Sequence, residues 1–301
     1  MCETDEMEDV RKAHIQRASS ARDLLAPVVD DLRSGSAKLA MKNRFELVSR
    51  SAVVRQYEAL DHAIDAAQAE VAHVVAGIVR PAVEEFVTLS YLSSLPRPDV
   101  DEFLWRKLML DLADSLEKQN RLYASFDVHQ AEIRSRPAAE TQEMQRAMVR
   151  LAEEYNWPIR GKGESKTSYG PTMRYMAEQT GNEELYDYLY GAASRLVHFS
   201  PYELLRRTWF DHSDQLRIGG HDLERWWSSF ALGWCTSLLC DSSKLVLEIT
   251  AIPPRVPIEQ LAELATECKR SVPPLVTLGE LNLSPSQAGY DPFTALTMRR
   301  S

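Results

Sequence analysis

Apolar residues recur along this chain at intervals of three and four, the period of a helix with one face turned inward. Residues 5–34 follow that pattern, with a break expected near Pro27 and a stop near Gly35. From Ala37 to about Ala67 the buried face reads Phe45, Val48, Val53, Tyr57, Leu60 and Ile64. A further helix is expected from about Ala69 to Leu95, with Pro81 either opening a new helix or kinking a continuous one. Ser93-Ser-Leu-Pro-Arg-Pro98 is a clear stop. Asp99 is the expected N-cap of a helix reaching about Phe126, with Leu104, Leu108, Leu110, Leu112, Leu116 and Leu122 as its apolar positions. Helices are also expected over residues 138–155, over 172–179 with a stop at Gly181, and through the segment from Tyr186 to Pro201.

Asp222 is the expected cap of the last long helix, which runs to about Ile249. It carries Trp226, Trp227, Phe230, Leu232, Trp234, Leu238, Leu239, Leu245 and Val246 on nearly all sides. Such a helix is central and buried, or buries against a second subunit, which leads to the expectation of a homodimer formed through it. Its three tryptophans read as core in preference to a stacking platform for bases. One helix is expected over 257–269, followed by a Pro/Ser-rich end that reads as partly disordered. No stretch shows the period-2 alternation of a strand, and no repeat is present. The expected fold is all-α, a single large helical bundle over residues 5–250, with residues 251–301 forming a C-terminal helix and tail.

Composition changes this picture little and limits the function. With 44% hydrophobic and 26% charged residues, the 301-residue chain is of globular type, and its net charge of −9 argues against coating nucleic acid through an overall field. Cys2, Cys235, Cys240 and Cys268 lack the spacing of a zinc site or a disulfide framework. The acidic N-terminus is unlike a signal peptide, and Phe230–Cys240 is about half the length a membrane span requires. A cytoplasmic protein without metal or cofactor is expected.

Two polar stripes carry the candidate chemistry. Tyr190, Ser194 and His198 stand at i, i+4 and i+8 on an otherwise apolar helix. Arg80, Glu84 and Tyr91 fall within about 40° of one another on theirs. Packed together, they would let Glu84 orient His198 while Arg80 takes an anionic group. They could equally be a satisfied network, Arg80 pairing with Glu84 and Ser194 bonding back to its own helix. A second candidate is the basic loop Arg160, Lys162 and Lys166, with Arg174 just beyond, as a local anion site or a merely solvated loop.

Arg80-x3-Glu84-x6-Tyr91, followed by Tyr190-x3-Ser194-x3-His198-Phe-Ser-Pro, resembles a bacterial family catalogued as a domain of unknown function. Pro171-Thr-Met-Arg-Tyr-Met-Ala-Glu and Gly181 share in the resemblance, which covers about residues 40–205. It implies a helical fold and the pairing of the two stripes, and no reaction. Pro81, directly after the arginine, departs from the family pattern, and the tryptophan helix lies outside it. A more distant similarity is to the HEPN superfamily, helical dimers many of which are metal-independent ribonucleases with an Arg-x4–6-His motif. Arg207-x4-His212, Arg206-x5-His212 and Arg55-x6-His62 match that spacing, which is short enough to arise by chance.

Three sharper chemistries fail. Glu70-Val-Ala-His73 has no second copy to complete a di-iron site. Gly161–Thr167 lacks the glycines and the preceding strand of a phosphate loop. Ser194 sits mid-helix, without the tight turn of a hydrolase nucleophile. Two function classes stay open. One is a binding or regulatory module, taking a small anionic ligand or a protein partner, in which the stripes hold two helices in register. The other is a nucleotide- or RNA-acting enzyme using His198, or Arg207 and His212.

Overall fold

A computed structural model describes residues 3–34, 43–71, 76–125, 138–158, 170–198, 208–210, 215–218, 221–250 and 252–272. Among them the architecture is all-α. Its helices are α1 (Glu3–Arg33), α2 (Arg44–Gln68), α3 (Val79–Ser93), α4 (Arg97–Ser125), α5 (Ala138–Glu154), α6 (Met173–Gln179), α7 (Glu183–Val197), α8 (His221–Thr250) and α9 (Ile258–Ser271). A 3-10 turn over Ala76–Ile78 precedes α3. The strand-free expectation needs one amendment: Thr208–Phe210 (β1) and Leu216–Ile218 (β2) pair antiparallel, Trp209 opposite Arg217. Three residues per strand are too few to show a period of two in the sequence.

Local chemistry sets several helix ends. Asn43 and Glu46 form a reciprocal cap at the start of α2: the Asn43 Oδ1 accepts from the Glu46 N–H at 3.0 Å while its Nδ2 donates to the Glu46 carboxylate at 2.9 Å. Thr172 caps α6, accepting from the Tyr175 N–H. Glu70, Asn156 and Gly181 each follow a helix with a left-handed backbone, φ 59°, 52° and 69°. At each, the next residue's N–H reaches back five positions to a carbonyl, the pattern of a Schellman end. Pro81 is the third residue of α3, where its missing N–H costs nothing. Pro27, in contrast to expectation, does not break α1. Pro27 and Asp23 are exposed, so water can satisfy the carbonyl it orphans, while buried Leu25, Val28 and Val29 hold the helix on either side. Asp99 lies inside the first turn of α4 instead of capping it, and its carboxylate accepts from the Tyr155 hydroxyl.

The chain gathers into two compact units. The first comprises residues 1–34, 50–86 and 184–301. Here α8 packs against both α1 and α9, burying Trp227, Phe230, Leu238 and Leu239. The tryptophan helix is thus covered by other helices of its own unit. Gly233 permits the tightest approach: a Cβ there would lie 2.4 Å from Val272 Cγ2 and 3.1 Å from His14 Cε1. The His14 imidazole Nε2 stands 3.0 Å from the Ser271 carbonyl, and Arg17 pairs with Glu267 at 2.8 Å, joining α1 to the end of α9.

The second unit comprises residues 35–49 and 87–183, where α4 and α5 pack together. Phe103, Met109, Met148, Leu151 and Trp157 are buried in it. Leu108, Leu112 and Leu122, expected on the buried side of α4, are each more than half exposed. Val100, Phe103 and Met109 form its inward face instead, because the packing partner and not the leucine count sets which face turns in. No helix among the described residues is long and apolar enough to cross a membrane.

Candidate functional site

Arg80 stands in the first turn of α3, one turn before Glu84, so their side chains stack on one face. On α7, Tyr190 and the chain just beyond Val197 present the facing groups. The guanidinium meets three of them: Nε donates to the Glu84 carboxylate at 3.2 Å, Nη2 to the Tyr190 hydroxyl at 3.2 Å, and Nη1 lies 3.1 Å from His198 Nε2. Its carbon sits 4.5 Å from the centre of the Tyr190 ring, a cation–π contact. An arginine has only donors, so a hydrogen bond across this gap has His198 Nε2 as its acceptor. The cluster is half-buried, not sealed: the Arg80 and Glu84 side chains are 27% and 32% exposed, and His198 is exposed.

The helical segment bearing both stripes is also what ties this chain to others. Residues 46–216, more than half of the chain, match the family of unknown function DUF5677. The chain belongs to DUF5677. Comparison with curated proteins returns no match. Comparison with solved structures returns none either. The DUF5677 segment contains α3 and α7 and ends before α8, so the tryptophan helix lies beyond it.

Within the DUF5677 segment, Tyr91 and Ser194 depart from the arrangement expected of them. Tyr91, also on α3, has its hydroxyl taken by the Trp157 indole N–H at 2.5 Å and its ring against Tyr175 at 5.9 Å, partners that belong to the second unit. Burial pushes its phenol up to about 12. The Ser194 hydroxyl is buried without a hydrogen-bond partner among the described residues, so it neither joins the cluster nor bonds back to its helix. Tyr186 replaces it in the cluster, its ring 5.1 Å from that of Tyr190. Burial raises its phenol to about 12, with Tyr190 and Glu84 adding to the rise and Arg80 opposing it. The signal was available, since Tyr186 lies one turn before Tyr190 on the same stripe.

Arg174 donates to Glu178 at 3.1 Å and to Glu183 at 2.7 Å, so carboxylates of its own unit already engage it. Arg160, Lys162 and Lys166 lie outside the described residues, as do Arg206, Arg207, His212 and His73. Arg55 pairs with Glu85, which also accepts from Gln56 Nε2 at 3.0 Å, while His62 is exposed. Burial raises the Glu85 carboxyl against the pull of Arg55. Cys235, Cys240 and Cys268 are free, buried thiols, with burial pushing Cys235 up to about 12 and Cys268 to about 11. Thiols held so far above neutrality make poor nucleophiles. A surface hollow of about 550 Å³ on α9, lined by Glu263, Thr266, Glu267 and Arg270, shares no residue with the Arg80 cluster.

The arrangement favours some chemistry over other. A general base needs a free lone pair, and that of His198 Nε2 points at a permanently charged guanidinium. Arg80, by contrast, spends three of its five N–H groups on described residues and keeps part of its surface open. What this suits is holding an anionic group.

Proposed function

We propose that this chain is a cytoplasmic binding or regulatory protein whose ligand presents an anionic group to Arg80, flanked by Tyr186, Tyr190, Glu84 and His198. The observation that carries the reading is the partly exposed guanidinium fixed by contacts to two helices. A planar fork already oriented by its neighbours loses little freedom on taking a carboxylate or phosphate in two parallel hydrogen bonds. Glu84 tempers the charge, so the site discriminates by geometry as well as by sign. Buried free thiols fit a reducing compartment.

The second reading, a nucleotide- or RNA-acting enzyme with His198 as acid–base and Glu84 orienting, draws on the exposure of the imidazole. Calorimetric titration of the full chain with inorganic phosphate, beside an assay of RNA and nucleotide turnover, separates the two. Binding reading: phosphate binds at millimolar strength, Arg80→Lys weakens it about tenfold, and no turnover is seen. Turnover that vanishes in His198→Ala, or a wild-type chain that takes no phosphate, overturns it.

A further inference from the structure

Two residues outside the polar cluster meet beside it. Gly77, in the 3-10 turn before α3, approaches Val197 so closely that a Cβ on Gly77 would lie 2.6 Å from Val197 Cγ1. Carbon atoms in ordinary contact sit about 3.5–4.0 Å apart. The backbone of Gly77 is not in the left-handed region, so glycine serves here for space and not for conformation. Val197 ends α7 and is 54% exposed, which makes it a poor contributor to burial. Being β-branched, it turns away only at a cost in χ1.

The position of this contact gives it a consequence. Gly77 precedes Arg80 by three residues, and Val197 precedes His198 by one. Both ends of the 3.1 Å Arg80–His198 contact are therefore tethered within one turn to the place where glycine lets the two segments touch. At 3.1 Å that hydrogen bond tolerates only a few tenths of an ångström before it is lost. We infer that Gly77 and Val197 form a packing latch, and that Gly77 is a positioning residue that delivers His198 to Arg80. The inference rests on the reading of Arg80 as the ligand-binding group, and it adds the element that sets the site's geometry.

The test is a pair of substitutions in the full chain, Gly77→Ala and the double variant Gly77→Ala/Val197→Ala. It is read by the nitrogen-15 resonances of the His198 imidazole and by titration with inorganic phosphate. Gly77→Ala is expected to move the His198 signals to where Arg80→Ala puts them and to weaken phosphate about tenfold. Removing the valine branches in the double variant makes room for the new methyl and restores both. A folded Gly77→Ala chain with wild-type His198 signals overturns the latch, and so does a double variant that fails to restore them. Should Gly77→Ala not fold, the double variant decides alone: folded with wild-type signals supports the latch, unfolded overturns it. If the binding reading is what fails, the wild-type chain takes no phosphate while the imidazole signals still report on the latch.

Discussion

The indole N–H of Trp157 donates to the phenolic oxygen of Tyr91 over 2.5 Å, with both side chains about 4% exposed. Tyr91 thus serves the core of the second unit. Tyr91→Phe leaves the buried N–H of Trp157 without its acceptor, at an expected cost of about 1–3 kcal/mol. Urea unfolding followed by tryptophan fluorescence should show the loss. Phosphate binding should stay unchanged; a variant that keeps its stability and loses the ligand would return Tyr91 to the site.

The Arg80 cluster predicts the reverse. Glu84 and Arg80 are about one-third exposed, so their pair contributes under about 1 kcal/mol. Glu84→Gln and His198→Ala should melt within about 2 °C of the wild type. A drop of many degrees would mean that the cluster is a structural lock, and the binding reading would lose its basis.

His14 makes stability depend on acidity. Burial, with Arg17 adding, lowers the imidazole below its ordinary value against the opposing bond to the Ser271 carbonyl. The unfolded chain, with an ordinary histidine near 6.5, then binds more protons than the folded one as pH falls below about 6.5. The contribution of neutral His14 is complete above that pH and declines below it. Melting temperatures from about pH 8 to 5 should fall more steeply for the wild type than for His14→Gln. Parallel curves would count against it.

Glu70 stands at φ 59°, a left-handed position where a side chain costs about 1 kcal/mol or more relative to glycine. Its ion pair with Arg11, at 4.0 Å and with the Glu70 side chain half exposed, returns little. Glu70→Gly should raise the melting temperature by about 2–4 °C. Scanning calorimetry would show it, and a lower value would mean that the weak pair matters more than the strain.

Helix content, most helix ends and the burial of the tryptophan helix were legible in the residues alone, because they depend on interactions within a few positions. Periodicity marks a face, Thr172 and Gly181 mark ends, and a helix with Trp227 and Phe230 among apolar neighbours has to be covered. The proximity of Arg80 to Tyr190 and His198 followed from stripe geometry and family resemblance. What only the tertiary structure decided depends on which segments approach and how closely. It seats Tyr91 against Trp157, leaves Ser194 without a hydrogen-bond partner among the described residues, turns Leu108 and Leu112 outward and carries α1 straight through Pro27. It also brings Gly77 against Val197, and no local pattern announces that contact. A residue's own sequence neighbourhood fixes its helical phase, but the space available to it is set by side chains distant in the chain, 66 positions away for Tyr91 and Trp157 and farther for Gly77 and Val197.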